Sequence, residues 1–429
     1  MKKKYLKRVI DDLLEKRLEM IGAIVINGPK WCGKTTTAMQ YAKSVLELQD
    51  PDKTNSYLKL AGIKPSLLLK GENPRLIDEW QMAPVLWDAV RNSVDKLNKD
   101  GLYILTGSTS VNEDEIMHSG TGRIHKMTMK PMSLFESKES NGKISIIDLF
   151  NNPDMDINGI KSELSIEDLI FAACRGGWPE SLNKKTKEAQ LFVASNYLDN
   201  ICESDASTVD GVKRDPQRVR TILQSYARNI STTVSNNTII KDIQANFEDI
   251  SKPTYYSYID ALKRLFVIEN VPAWNPRLRS ATVIQSSYKK EFVDPSIAVA
   301  TLNLTPETLL HDLNTFGFIF ENLCIRDLSV YSSSVNGRIS YYRDKYGLEA
   351  DCVLHLRDGR YALIEFKLGS KEIEKGAKNL IKLDLLIKKN INENKLNIKK
   401  PSFLAIVTGG EFSYVRDDGV KILPIGVLR

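Results

Sequence analysis

The chain has 429 residues, of which 42% are hydrophobic and 27% are charged. This composition is ordinary for a folded globular protein, and the length exceeds what one hydrophobic core serves, so we expect about three domains. The net charge of +6 is too small to indicate a nucleic-acid-binding protein by itself. The five cysteines form no C-x-x-C pair, which argues against a zinc site or a disulfide framework and favours a reducing, cytoplasmic compartment.

Residues 1–20 are predicted to form a helix that packs on the domain after it. Acidic residues interrupt the stretch that would have to be the apolar core of a signal peptide. The apolar residues share one helical face: Leu6, Val9, Ile10, Leu13, Leu14 and Leu18. No apolar run approaches the roughly 20 residues of a membrane helix, so we expect no membrane partner.

A strand, a glycine-containing loop and a helix are predicted for residues 21–48. The apolar run 21–26 predicts a buried strand, and Thr36–Leu48 has helical spacing. Between them, G-x-x-x-x-G-K-[ST] is matched at every fixed position, so we expect ATP and Mg²⁺, although a glycine turn could match by accident. Lys34 would reach the β- and γ-phosphates, and the Thr35 hydroxyl would bind Mg²⁺. The candidate nucleotide-binding residues are Gly28, Pro29, Lys30, Trp31, Cys32, Gly33, Lys34, Thr35 and Thr36.

Two adjacent acids follow a second short apolar run, residues 74–77. Beside a phosphate-binding loop, Asp78 would hold a water molecule on Mg²⁺, and Glu79 would polarise the water that attacks the γ-phosphate. The alternative is that these acids cap a helix predicted for residues 81–96.

Three polar residues further along are candidates for the same site. Thr106 and Ser108 follow a predicted strand, Leu102–Leu105, and would sense the γ-phosphate, although a hydroxyl-rich turn explains them as well. Arg123 would act on the γ-phosphate, either in its own subunit or from a neighbouring one, and the alternative is a structural salt bridge.

Several motifs together resemble a known family. In chain order they are the glycine loop, LIDEWQMAP, LTGS, HSGTGRI, MKPMSLFES and GGWPES. This series resembles the prokaryotic AAA+-type ATPases of the AAA_14 family, which are followed by a domain of unknown function with a nuclease-like fold. The resemblance implies an ATPase core with a small helical lid, and it leaves oligomerisation open. GGWPES falls in that lid, where a structural turn is the simpler interpretation.

The middle of the chain predicts a winged helix-turn-helix. Residues 137–165 are rich in Ser, Asn, Lys and Gly and are interpreted as a linker or mobile insertion. Helices are predicted at 216–230, 238–247 and 252–265, followed by a β-wing. The residues that could face a DNA backbone are Lys252, Tyr255, Tyr256, Tyr258, Lys263, Arg264, Arg277, Arg279, Lys289 and Lys290. The alternatives are a protein-packing module and tyrosines that belong to the core.

Acidic residues on predicted strands mark the last third of the chain. Glu349 and Asp351 share one strand face, Glu365 and Lys367 share the next, and Glu321 lies on the helix before them. Such carboxylates suit Mg²⁺ or Mn²⁺, and a lysine can stabilise charge on phosphate. The pattern resembles the PD-(D/E)xK nucleases, although Ala350 replaces the proline before Asp351. The alternatives are a solvated strand face and a nuclease fold without activity.

We therefore expect an α/β protein with a P-loop NTPase core (residues 1–150), a helical lid (151–215), a winged helix (216–300) and a nuclease-like domain (301–429). The expected function is Mg²⁺-dependent ATP hydrolysis that drives a conformational switch, with double-stranded DNA or a protein as partner. The alternative is an ATP-gated, metal-dependent DNA endonuclease. A small-molecule kinase is a weaker third interpretation, because the long acidic C-terminal extension argues against it.

Overall fold

The structure is a computed structural model that describes residues 5–109, 119–246, 249–275, 287–344 and 346–429. The chain divides into two compact units. The first unit consists of Met1–Pro131, Ser207–Val212 and Asp260–Val267. The second unit consists of Met132–Ala206, Lys213–Ile259 and Ile268–Arg429.

The first unit is built on a parallel sheet. Its strands are β1 Ala23–Asn27, β2 Ser44–Glu47, β3 Arg75–Asp78, β4 Tyr103–Gly107 and β5 Ile124–Thr128. They lie in the order β2-β3-β4-β1-β5, and every neighbouring pair is parallel. Residues 23–26 of β1 are buried, as expected for an apolar run between two neighbouring strands. Parallel pairing brings the carboxyl ends of β1, β3 and β4 to one edge of the sheet.

The helices of this unit are α1 Val9–Leu18, α2 Lys34–Ala38, α3 Thr54–Ile63 and α4 Val85–Leu97. Ile10 and Leu14 of α1 are buried in one core cluster with Ile24 and Ile26 of β1, which confirms that the N-terminal helix packs on this domain. The amphipathic helix α4 ends where Asn98 adopts a left-handed backbone with φ 49°.

The helix predicted for Thr36–Leu48 is wrong beyond Ala38. The helix α2 ends at Ala38, and β2 occupies residues 44–47. The physical reason is pairing: Val45 and Leu46 lie in parallel register with Leu76 and Ile77 of β3. That partner is distant in sequence, so local spacing could not show it.

The second unit contains two sheets. Its strands are β6 Ile268–Val271, β7 Lys289–Phe292, β8 Arg338–Arg343, β9 Glu349–His355, β10 Tyr361–Lys367, β11 Leu404–Thr408, β12 Tyr414–Val415 and β13 Lys421–Pro424. The strands β6 and β7 form an antiparallel pair. The others form a six-stranded mixed sheet in the order β12-β13-β11-β10-β9-β8. The strands β9 and β10 are antiparallel neighbours, and in the turn between them the Leu356 amide donates to the Arg360 carbonyl at 2.8 Å.

The helices along the rest of the chain are α5 Ile146–Asn151, α6 Ile166–Arg175, α7 Pro179–Leu182, α8 Lys187–Asn200, α9 Ala206–Thr208, α10 Pro216–Arg228, α11 Asn236–Asn246, α12 Lys252–Arg264, α13 Pro295–Thr301, α14 Pro306–His311, α15 Leu313–Tyr331 and α16 Ile373–Asn392. The amphipathic helix α16 covers the large sheet, since its Ala377, Leu380 and Leu383 share a core cluster with Val353 and Leu363.

The prediction of a linker at residues 137–165 is wrong. This segment contains α5 and buries Ile144, Leu149 and Ile157. It is also hydrogen-bonded to the end of the chain, since the Ile144 amide donates to the Val427 carbonyl at 2.8 Å. The polar composition misled because these residues are held by backbone pairing with a distant segment.

The helices α10, α11 and α12 are followed by the β6–β7 pair, which is the order of elements expected for a winged helix. The winged-helix assignment and the four-part division of the chain stay predictions, and the first stretch of the first unit ends at Pro131 rather than at residue 150. Within the residues that the structure describes, we find no helix with the length and apolar character needed to cross a membrane.

Candidate functional site

The glycine loop connects β1 to α2 and has the backbone that its glycines permit. Gly28 has φ +152°, and a Cβ there would lie 2.1 Å from the Met129 carbonyl oxygen. Gly33 has φ +103° and forms the left-handed N-cap of α2. Both positions therefore require glycine, one for close backbone approach and one for its conformation.

Lys34 lies over this loop. Its side chain is buried, and its Nζ donates to the carbonyl oxygens of Gly28 at 3.0 Å and Pro29 at 2.8 Å. The ammonium group is thus fixed beside the loop that would hold phosphate, where its charge could stabilise phosphate oxygens.

The ends of β3 and β4 and the start of α2 meet at Asp78. The hydroxyl of Thr35 donates to Asp78 Oδ1 at 2.7 Å, and the hydroxyl of Thr106 donates to the same oxygen. Carboxylate and hydroxyl oxygens are suitable ligands for Mg²⁺ or for the water molecules around it. The predicted metal residues Thr35 and Asp78 therefore lie together and fit a Mg²⁺ ion.

Glu79 has a different set of partners. Its backbone is left-handed, with φ 53° and ψ 48°, which is uncommon for a residue other than glycine. Its Oε2 accepts hydrogen bonds from Ser108 Oγ at 2.8 Å and from Gln81 Nε2. Ser108 and Thr106 thus lie against the two neighbouring acids, one against each.

Three polar atoms that the sequence did not single out lie around Gly107. A Cβ on Gly107 would be 3.1 Å from Gln81 Oε1, 3.1 Å from Trp80 Nε1 and 3.2 Å from Asn27 Oδ1. Each of these atoms is buried and has no hydrogen-bond partner within the described part of the chain. Buried polar atoms normally have partners, so we expect water or a nucleotide to supply them. Asn27 directly precedes the glycine loop and Gln81 follows the pair Asp78 and Glu79, and this proximity could have indicated both residues.

The other loop residues have varied surroundings. Cys32 is buried and its thiol donates to the Met129 carbonyl at 3.6 Å, while Trp31 is 46% exposed and Thr36 is exposed. Arg8 also supports the loop, because its guanidinium donates to the Cys32 carbonyl at 2.7 Å. Sequence reasoning missed Arg8, whose partner is distant in the chain.

Arg123 lies at the opposite edge of the sheet from the glycine loop. It precedes β5, whose first residue pairs with Ala23 at the start of β1, whereas the loop follows the end of β1. Its Nε donates to Asp95 Oδ1 at 2.6 Å. The prediction that Arg123 acts on its own subunit's γ-phosphate is therefore wrong; the salt bridge was the alternative interpretation, and action on a neighbouring subunit stays a prediction.

The second unit brings the C-terminal candidate residues together. Lys367 Nζ lies 3.3 Å from Asp351 Oδ2 and 2.6 Å from Glu365 Oε2. Glu321 joins them through the ammonium group of Lys289, which contacts Glu321 and lies 3.9 Å from Asp351 Oδ1. We call these residues, with Glu291, the acid cluster.

Glu349 has its own ion pair, with Arg343 Nε at 3.7 Å from its Oε2. The four predicted residues of the cluster, Glu321, Asp351, Glu365 and Lys367, are thus joined by ion pairs. Within the part of the chain that the structure describes, no group of three or more His, Cys, Asp or Glu residues has a geometry that could hold a metal ion.

The prediction that Lys289 and Lys290 face DNA is wrong. Both side chains are buried, because all of β7 is buried, and Lys290 Nζ donates to Asn236 Oδ1 at 3.0 Å. Tyr255 and Tyr258 are buried as well, as the alternative of core tyrosines expected, whereas Tyr256 is 48% exposed. Arg277 and Arg279 lie outside the described residues.

Burial sets the protonation of the acid cluster. Burial, together with the charge of the neighbouring Glu321, raises the pKa of Glu291 to about 8. Burial alone would lower the pKa of the Lys289 ammonium, but Glu321 and Asp351 hold it above its ordinary value. Burial would raise the pKa of Asp351, but Lys289 and Lys367 hold it below its ordinary value. The lysines therefore keep their charge, and Glu291 keeps a proton at neutral pH.

Three family models match successive parts of the chain. Residues 21–138 match AAA_14, an AAA domain. Residues 166–308 match DUF8612 and residues 316–428 match DUF4143, and both are domains of unknown function. A comparison with curated proteins gives no match.

Solved structures with some similarity include the Walker-type ATPase of Pyrococcus abyssi, at 15% identity and a TM-score of 0.41 over 68% of this chain and 94% of that one. A RuvB mutant from Thermotoga maritima has 14% identity and a TM-score of 0.24 over 62% and 87% of the two chains. A STAND ATPase with a tetratricopeptide repeat sensor from Pyrococcus horikoshii has 14% identity and a TM-score of 0.24 over 77% and 50%. These likenesses are too low to carry an argument. The AAA-domain match, the parallel sheet and its glycine loop together identify residues 21–138 as an AAA-type P-loop ATPase domain.

Proposed function

We propose that the protein hydrolyses ATP with Mg²⁺ and uses the reaction as a conformational switch. The observation that carries this proposal is the meeting of Thr35, Asp78 and Thr106 beside Lys34, with Glu79 and Ser108 next to them. In this arrangement Lys34 neutralises phosphate charge, Thr35 and Asp78 hold Mg²⁺ and its water, and Glu79 acts as general base on the attacking water.

The geometry supports a base role for Glu79 over a helix-capping role. No side-chain cap hydrogen bond is made by Glu79, whose carboxylate instead accepts hydrogen bonds from Ser108 and Gln81. A general base must be oriented before it can accept a proton, and these donors orient it. Ser108 and Gln81 thus act on the reaction through Glu79.

We propose that the switch is read by double-stranded DNA or a protein partner through the middle and C-terminal segments. The succession of α10, α11, α12 and the β6–β7 pair supports a winged-helix interpretation. The burial of Lys289, Lys290, Tyr255 and Tyr258 removes much of the basic and aromatic surface that would favour DNA. A protein is therefore the better-supported binding partner, and DNA is the alternative that the experiment must test.

The second candidate function is an ATP-gated DNA endonuclease, which the proximity of Glu321, Asp351, Glu365 and Lys367 favours. Against it, Lys289 contacts both Glu321 and Asp351, so an ammonium group lies where a metal-dependent nuclease would use a divalent cation. We therefore place the ATPase switch first.

The test is Mg²⁺-dependent phosphate release by the full chain, with and without duplex DNA. Glu79→Gln should lower the rate by about 10²- to 10⁴-fold while nucleotide still binds, as expected for loss of a general base. Glu72→Gln is the matched control, because that carboxylate is exposed and should leave the rate unchanged. A wild-type rate for Glu79→Gln would rule out Glu79 as the base.

A cleavage assay on the same DNA separates the two functions. In the endonuclease interpretation, Asp351→Asn abolishes cleavage and spares phosphate release. In the switch interpretation, the wild-type protein gives no cleavage products, and any effect of DNA is limited to the rate of phosphate release.

A further inference from the structure

A cavity of about 890 Å³ lies within the second unit, at the end of the β8–β9–β10 sheet. Its volume is in the range of small-molecule sites, about 300 to 1,000 Å³. It lies away from the acid cluster, because His355 is four residues along β9 from Asp351, which is about 13 Å in an extended strand. The side chains that matter for its chemistry are Trp274, Arg338, His355, Arg357, Tyr361 and Lys399.

Strand pairing places three of these side chains in one row. Arg338 of β8 pairs with His355 of β9, and His355 pairs with Tyr361 of β10. Residues directly opposite each other on neighbouring strands present their side chains on the same face of the sheet. His355 and Tyr361 therefore form the floor of the cavity, and Arg338 lies beside them on the edge strand β8.

The floor carries flat ring surfaces. The rings of His355 and Tyr361 are stacked, with centroids 5.3 Å apart and an interplanar angle of 15°. The Trp274 ring lies 5.1 Å from Tyr361 and 5.6 Å from His355. Such surfaces bind planar rings by stacking, with little dependence on the identity of the ring.

Two polar atoms of this floor lack protein partners. His355 Nε2 and the Tyr361 hydroxyl are buried and have no hydrogen-bond partner among the residues that the structure describes. Tyr361 is 1% exposed, so water has little access to it. Burial lowers the pKa of His355, which leaves its imidazole uncharged at neutral pH and able to donate or accept a hydrogen bond. Because both atoms are closed to water in this structure, a ligand in the cavity would contact the exposed ring surface and the rim rather than these two atoms.

The rim of the cavity is cationic. Arg338 and Arg357 are exposed, and neither side chain has an ion pair or a hydrogen bond within the described residues. Lys399 is also exposed, and its Nζ donates to the Asp358 carbonyl at 3.0 Å. Guanidinium groups bind phosphate in a bidentate manner, so this rim favours an anion of that shape.

We propose that this cavity binds a nucleotide, with its base against Trp274 and His355 and its phosphate on Arg338 and Arg357. The base offers a planar ring, which matches the partly exposed rings of Trp274 and His355 that line the cavity. The phosphate offers the charge that the rim requires. The nucleotide is either a free monophosphate or the end of a single strand, since both present this chemistry. The proposal does not depend on the function proposed for the glycine loop.

The experiment uses the full chain with Lys34→Ala, which removes the lysine of the glycine loop so that binding elsewhere can be measured. Thymidine monophosphate and a short 5′-phosphorylated oligothymidylate are titrated separately by isothermal calorimetry and by tryptophan emission. Trp274→Phe keeps a ring in the cavity and identifies the emission change that comes from this site. Arg338→Ala with Arg357→Ala removes the rim charges from exposed positions, so folding should be unaffected.

The double arginine variant should weaken binding by about 10²-fold or more, since the loss of each charge-assisted contact should weaken it by about tenfold or more. Lys400→Ala is the control, because Lys400 is exposed but does not line the cavity. Equal affinity for both probes identifies a free nucleotide, and a preference for the oligothymidylate identifies a strand end. Lack of binding by either probe, or binding that the arginine variant leaves unchanged, would overturn the proposal.

Discussion

Two neighbouring acids at the candidate ATP site have separate partners. Asp78 accepts hydrogen bonds from Thr35 and Thr106, whereas Glu79 accepts them from Ser108 and Gln81. In a continued strand, successive side chains would point to opposite faces. The left-handed backbone at Glu79 ends the strand and lets both carboxylates contact residues at the end of β4. Substitution of a partner of Asp78 should therefore affect metal binding, and substitution of a partner of Glu79 should affect proton transfer.

Thr106→Val should weaken Mg²⁺ binding and leave the base in place. The valine has nearly the same shape at a buried position, but it no longer donates to Asp78. A hydrogen bond to a charged group is worth about 1.5 to 3 kcal/mol, so the Mg²⁺ concentration for half-maximal phosphate release should rise by about tenfold. Thr109→Val, beyond the end of β4, is the control. An unchanged Mg²⁺ dependence would contradict a role for Thr106 at Asp78.

Glu291 should make the second unit less stable as pH rises. Its pKa is raised by burial to about 8, so the folded state retains a proton that the unfolded chain has already lost above its ordinary value of 4.5. The stabilisation is fully present below that ordinary value and is lost as pH rises towards 8. Glu291→Gln mimics the protonated form and should reduce this dependence, on the order of a few kcal/mol. Thermal unfolding of the wild type and the variant at pH 6 and pH 8.5 measures how much stability each loses as pH rises. An equal loss in both proteins would contradict the raised pKa of Glu291.

Among the elements, β7 does more than complete a small antiparallel pair. Its Lys289 supplies the ammonium group between Glu321 of α15 and Asp351 of β9, and its Glu291 accepts a hydrogen bond from Asn322 Nδ2 at 2.7 Å. These contacts join β7 to the helix and the sheet of the C-terminal segment. The strand β7 therefore supplies charged partners to buried residues that are far from it in sequence.

Lys289→Met should destabilise the second unit by about 3 to 5 kcal/mol, because it leaves Glu321 and Asp351 buried without their shared cation. Lys252→Met is a control in the same unit, since Lys252 is exposed and its loss should cost little. Urea unfolding of both variants gives the comparison. If the two variants lose the same stability, the ion pair is not the reason.

Local sequence patterns predicted the elements whose structure depends only on their own residues and not on a distant partner. The glycine loop and the pair Asp78 and Glu79 were found because each motif is continuous and follows an apolar strand. The short β2 was missed because a strand of four residues depends on pairing with β3. Lys289 was assigned to a basic surface because nothing in its own segment indicates a carboxylate partner, which lies 32 residues away in the sequence.

At the scale of the molecule, each unit is assembled from three separate stretches of the chain. In the second unit, the final residues return to the segment 140–146: the Asn141 amide donates to the Gly426 carbonyl at 3.0 Å and the Ile146 amide to the Arg429 carbonyl at 2.9 Å. Arg326 also joins Asp294 and Asp327 in buried ion pairs. The composition of residues 137–165 predicted a linker. Composition cannot show that the end of the chain forms hydrogen bonds with this segment, so the prediction was wrong.

Removal of residues 425–429 should therefore destabilise the second unit. The deletion exposes the backbone groups of residues 141–146 and removes the buried side chains of Ile425, Val427 and Leu428. Each buried aliphatic side chain contributes about 1.5 to 3 kcal/mol, so the loss is a large share of ordinary stability. Hydrogen exchange at residues 141–146 measures it locally. Unchanged protection of those amides would show that the pairing is dispensable.

The position of Lys289 has a consequence for how such proteins can be recombined. The match to the family model of the C-terminal domain begins at residue 316, yet the ammonium group that contacts its Glu321 belongs to Lys289, in the stretch that matches the preceding family model. A fragment cut at residue 316, or a chimera that joins this domain to another ATPase, would carry Glu321 without the ammonium group of Lys289, while Asp351 would keep its ion pair with Lys367. We therefore expect a domain boundary drawn before β7 to preserve this contact and a boundary drawn at residue 316 to break it.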